Sequence, residues 1–180
     1  MWRDPVIWSG ITQGVLLLLL VVCAVTDLVY SKIYNKVTVT AMVCGVVTNT
    51  LASGLDGLKT SLVGLVLGFG LFLIVYMFGG MGGGDVKLMG AIGALGGYPF
   101  ILWAVFFSAL SGGLIAILIM MYHGRLWRGF KNVFRALFTC IMPHRVTEPL
   151  DPSDSMKIPF GFGISIGTLW CWILSILGKI

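Results

Sequence analysis

Gly82-Gly83-Gly84-Asp85-Val86-Lys87-Leu88 interrupts a chain that is otherwise largely lipid-soluble. An acid and a lysine beside three glycines have no routine place among apolar helices. An ionisable group at membrane depth is costly and is retained where it functions. Apolar stretches lie on both sides of the run, residues 58–80 before it, and 86–97 and 99–121 after it.

Composition agrees with that reading. Of 180 residues, 58% are hydrophobic and 11% charged, where a soluble domain is about one quarter charged. The pattern predicts an all-α, polytopic membrane helix bundle in one integral-membrane domain over 1–180. About six transmembrane segments are expected, near 6–26, 37–55, 58–80, 86–97, 99–121 and 158–178. Most reach the roughly 20 apolar residues that a spanning helix needs. The first, Val6 to Thr26, has no small-residue cleavage site after it and reads as a retained helix rather than a signal peptide. The fourth is too short to span. It carries Gly90, Gly93 and Gly96 at every third position and is expected to pack inside the bundle, where irregular flanking backbone is tolerated. Gly64 and Gly68 form a G-x-x-x-G pair suited to close helix approach. None of the four cysteines, Cys23, Cys44, Cys140 and Cys171, forms a C-x-x-C pair, so no metal site is expected.

The twelve basic residues fall unevenly. Lys32 and Lys36 follow the first segment, and Lys87 closes the glycine run. Arg125, Arg128, Lys131, Arg135, Arg145 and Lys157 lie in the long loop at about 122–157, leaving Arg3, Lys59 and Lys179 for the other side. The positive-inside rule then places the three basic loops in the cytoplasm and both termini outside. Trp127, Phe130, Val133, Phe134, Leu137, Phe138 and Ile141 recur at helical spacing with basic residues between them. A cytoplasmic amphipathic helix on the inner leaflet is therefore expected at about 125–141. The partners expected are the lipid bilayer and a protein substrate, with no nucleic acid.

Asp27 follows the first apolar segment as Asp85 follows the third, and the orientation places both acids at the cytoplasmic level. Two carboxylates in one site can hydrolyse a peptide bond. The ionised partner takes a proton from water and the protonated partner donates to the carbonyl oxygen. The proton belongs to the pair rather than to either residue, and no cofactor is required. The glycines leave room for a substrate backbone beside Asp85. Asp85 taken alone is also a good first-turn residue for a helix, and Asp27 a boundary residue.

Gly82-Gly83-Gly84-Asp85 resembles the G-x-G-D signature of intramembrane aspartyl proteases, and Val86-Lys87-Leu88 resembles the extension seen in bacterial prepilin peptidases. Asp27 followed by Ile33-Tyr34-Asn35 is similar to the family's first motif, an acid and then Ile-Pro-Asn, with Tyr34 in the proline place. Lys157-Ile158-Pro159-Phe160-Gly161 is similar to a third stretch that opens the last helix. The resemblance covers most of the chain in order. It implies an aspartic-type endopeptidase that cleaves the basic leader from type IV pilin-like precursors at the cytoplasmic face of the bacterial inner membrane. Asp27 and Asp85 would be catalytic, and Gly82, Gly83, Gly84, Lys87 and Asn35 would bind substrate or support the site. The chain lacks the cysteine-bearing cytoplasmic region linked to methylation in many members. It therefore looks like a short form without methyltransferase activity, of the kind serving tight-adherence (Flp) pili or a related pseudopilin or flagellin-like system, with a prepilin or pseudopilin precursor as its protein substrate.

Two other readings stand beside this one. A small transporter or channel with a broken-helix site at Asp85 would explain the glycine run, although such sites usually lie near the midplane. The presenilin class shares G-x-G-D, but the Lys-Leu extension favours the bacterial form.

Overall fold

The computed structural model describes residues 10–77, 81–122 and 160–178. Five helices form among these: α1 (Gly10–Tyr30), α2 (Asn35–Met77), α3 (Gly83–Gly96), α4 (Phe100–Tyr122) and α5 (Phe160–Ile176). The amphipathic helix expected near 125–141 and the Lys157-Ile158-Pro159 part of the third motif lie outside the described residues. Three helices, α1, α2 and α4, are long and apolar enough to cross a membrane, and α5 is a shorter apolar helix.

α2 holds 43 residues, about 64 Å if straight and far more than one bilayer crossing requires. It is not straight. Gly54 takes φ 59° and ψ −134°, a left-handed conformation open to glycine at little steric cost. The bend separates arms 35–53 and 55–77, which correspond to the segments expected near 37–55 and 58–80, with the break at Gly54 and not between residues 55 and 58. Next to it Gly57 lies against the Asn49 carbonyl, as in a tightly folded hairpin.

The hairpin encloses α3. That helix has 14 residues, about 21 Å, and falls short of the hydrocarbon thickness. It is buried almost throughout: Leu88, Met89, Ile92 and Leu95 have no exposed surface. The glycines make this possible. A Cβ on Gly64 would stand 2.8 Å from Gly97 Cα, and one on Gly45 would stand 2.7 Å from the Ala94 carbonyl carbon. Helix backbones therefore meet directly, as small residues permit in lipid. The last carbonyls of a helix have no intrahelical partners, and here the hairpin supplies them. Asn49 Nδ2 donates to Ala94 O at 2.9 Å and to Leu95 O at 3.0 Å, and Ser61 Oγ donates to Ala94 O at 2.6 Å.

α4 and α5 pack in the same manner. Gly163 lies on the Gly112 backbone and Gly167 on that of Phe107 and Ser108. Ser111 Oγ donates to Gly163 O at 2.6 Å. Gly112 faces the first residue of α5, a Cβ there lying 3.7 Å from the Phe160 ring.

α1 buries a single stripe, Thr12, Leu16, Leu19, Leu20, Cys23 and Asp27, at the three- and four-residue spacing of one helix face. The helix extends to Tyr30, so Asp27 lies inside its last turn and not beyond its end. The C-terminal end of α1 and the N-terminal ends of α2, α3 and α5 meet on one face of the bundle.

The Gly64 contact yields a stability prediction. Gly64→Val places side-chain atoms against backbone that cannot yield, and should destabilise the protein by at least ~1–3 kcal/mol. At Gly70 an added Cβ meets nothing within 4 Å, so Gly70→Ala should leave the denaturation midpoint in detergent unchanged or raised.

Candidate active site

Asp27 is the last residue of the inward stripe of α1, which turns its carboxylate into the bundle, where it is 7% exposed. Such a group needs partners at membrane depth. Its Oδ2 accepts a hydrogen bond from the Phe162 backbone N–H at 3.0 Å, and the Gly161 amide also contributes. Both amides belong to the first turn of α5, where N–H groups lack helical acceptors and the helix dipole favours negative charge. The approach depends on Gly161. A Cβ there would stand 3.0 Å from Asp27 Oδ2 and 2.7 Å from Ile33 Cδ1.

Asp85 occupies the equivalent place on α3. Gly82 is the N-cap, in extended conformation with φ −82° and ψ 151°. Asp85 lies three residues on, and its Oδ2 accepts from the Gly82 N–H at 3.0 Å. This is half of a capping box, since glycine has no side chain with which to reciprocate. Asp85 is also 7% exposed.

The two acids share one cavity of about 370 Å³. Between them its wall is made by the α1–α2 connection, including Ser31, Ile33 and Asn35, and by Gly82 and Gly84. Each acid thus rests on the start of one helix, and the open side of both faces the same polar space.

The connection between α1 and α2 sets their relation. Ser31 adopts φ 49° and ends α1, its N–H making the last helical bond to Asp27 O at 2.9 Å. Ile33 turns inward. A Cβ on Gly84 would lie 2.9 Å from Ile33 Cβ, so this side chain packs against the α3 start as well as against Gly161. Tyr34 precedes α2, and its carbonyl accepts from the N–H of Val37 and of Thr38 at 3.0 and 3.3 Å. A tyrosine in the proline place is therefore compatible with a regular helix start. Asn35 Oδ1 accepts from Lys87 Nζ at 2.9 Å, joining the α2 start to α3.

The residues singled out in the sequence do not share one environment. Asp27, Asp85, Gly82, Gly84 and Asn35 line the cavity. Gly83 faces the Tyr76 ring instead, an added Cβ lying 3.8 Å from it, and Lys87 reaches the site only through Asn35. The Phe162 and Gly161 amides and the Ile33 side chain belong to the site without any sign of that role in the sequence. Ile33 and Gly161 stood inside matched motifs, but a backbone donor leaves no mark in a sequence.

If Asp27 holds α5 in this way, its acceptor oxygen matters to the fold as well as to chemistry. Asp27→Ala should lower stability in detergent by about 0.5–2 kcal/mol, the range for loss of a helix cap. Asp27→Asn, which keeps an acceptor, should remain closer to the parent in denaturation midpoint.

A family model described as "Type IV leader peptidase family" matches residues 14–117, a span that contains both acids. The chain is also similar to the prepilin leader peptidase/N-methyltransferase of Bacillus subtilis (strain 168), with 38% identity over 99 residues, or 53% of this chain. The match spans 39% of that relative's length. No solved structure matches the chain.

Proposed function

The chain belongs to the type IV leader peptidase family, and from that premise we propose that it is a membrane-embedded aspartyl endopeptidase. Its substrate would be a type IV pilin-like precursor, cut between a basic leader and the apolar segment that follows, at the cytoplasmic face of the inner membrane. The observation that carries this reading is the cavity lined by both Asp27 and Asp85.

The chemistry follows from the pair. Two nearby carboxylates hold a single proton more readily than two charges. The ionised partner draws a proton from a water in the cavity, and that water attacks the scissile carbonyl carbon. The protonated partner gives its proton to the carbonyl oxygen. The tetrahedral adduct then collapses, a proton passes to the departing nitrogen, and the C–N bond breaks to leave a carboxylic acid and a new amine terminus. The amides at the starts of α3 and α5 hold the two carboxylates in place throughout. Gly82 and Gly84 keep the Asp85 wall free of side chains, which lets an extended backbone lie beside it.

Two outcomes are expected. Asp27→Asn and Asp85→Asn should each abolish precursor cleavage while the protein still inserts in membranes, and cleavage near the parent rate by either variant would remove the dyad. The rate should also be bell-shaped in pH. Below both apparent pKa values of the pair no base remains, and above both no acid remains. A rate still climbing at strongly alkaline pH would be inconsistent with a shared proton.

A further inference from the structure

A second cavity, of about 390 Å³, opens between α2, α4 and α5. Its character is the reverse of the acid cavity. The floor is buried and formed by Phe72, Ser108, Gly112 and Ile164, while Val75 and Gly113 stand on an exposed rim. Among the described residues, Ser108 is the only polar side chain lining it. That hydroxyl is already engaged, with Ile164 O at 3.2 Å and the Thr168 hydroxyl at 3.3 Å. The groove formed by the described residues therefore offers a ligand apolar contact and no polar hold.

Its position relates it to the dyad. The groove residue Met81 immediately precedes Gly82 of the acid cavity, and the groove residue Phe160 immediately precedes Gly161, which abuts Asp27. One end of the groove thus begins a single residue from the walls that hold both acids. From there it extends along α5 from Phe160 to Ile164 and along α2 from Val75 to Leu71, about one helical turn or 6 Å in each case. An extended chain advances about 3.3–3.6 Å per residue, so only a few residues separate a bond cut at the acids from a side chain lodged in the groove.

We propose that this groove is the subsite for the first apolar side chains on the carboxyl side of the scissile bond. The inference rests on the peptidase reading and adds where the enzyme holds the apolar half of its substrate. Continuity with the acid cavity argues for that occupant, as does the apolar lining that the described residues give the groove, which suits an apolar segment and not a basic leader. The groove selects large apolar residues next to the cut, because they alone fill it and exclude water from it.

Gly113 provides the test, since a Cβ added there meets nothing within 4 Å and a larger side chain enters the groove without a backbone clash. Gly113→Leu should raise KM about tenfold for a precursor with large apolar residues after the cut, with little change in kcat. It should affect much less a precursor carrying alanines there. Leu114→Phe, on the exposed neighbouring position, should change neither. Equal KM values for Gly113→Leu and the parent on the large-residue precursor would overturn the subsite. Failure of the peptidase reading would show separately, as no cleavage of either precursor by the parent protein. A photoreactive residue in place of Ala109, on the groove rim, gives a readout independent of rate in protein that retains activity. Crosslinking to the precursor's apolar segment supports the proposal, and crosslinking to lipid alone overturns it.

Discussion

A helix shorter than the bilayer's apolar thickness must have its end groups satisfied by protein, because lipid offers no hydrogen bonds. α3 is such a helix, and much of the structure answers that requirement. The bend at Gly54 folds α2 into two arms that lie on α3, and Asn49 and Ser61 within those arms take up its terminal carbonyls. The glycines let the arms come close enough to do so. At the other end the start of α3 is held by its own acid, Asp85, through the Gly82 amide. The same solution recurs where α5 begins, with the acid supplied by α1.

This arrangement explains how two carboxyl groups are kept in an apolar bundle with, among the described residues, no salt bridge to either. A salt bridge at each acid would hold the charge but occupy the oxygens with a side chain. Backbone amides hold it from behind, with no bulky side chain in front. Lys87 is close in sequence to Asp85, yet its ammonium bonds Asn35. That link ties α3 to the start of α2.

Much of this was legible in the residues. Asp27, Asp85 and the glycines announce themselves by being out of place in an apolar chain, and the short fourth segment could be seen to be too short to span. Other features could not be read so directly. Hydropathy ended the first segment at Thr26, because an aspartate counts against an apolar helix. In the fold the α5 amides satisfy that aspartate and α1 continues to Tyr30. The residues around Gly54 looked like a break between two spans, and only the backbone shows a hairpin folded around a third helix. Ile33 stands in a motif that the sequence marks, but its meeting with both Gly84 and Gly161 depends on contacts distant in the chain.

The overhang of α4 has a further consequence. Phe160, at the level of the Asp27 wall, lies against Gly112, yet α4 continues for ten more residues to Tyr122. That continuation, from Gly113, is about 15 Å of helix with Leu114, Ile117, Leu118 and Met121 all exposed. This exposed apolar flank runs past the level of the acid cavity. The acid cavity is thus overhung on one side by an apolar helix face and does not lie at the edge of the apolar surface.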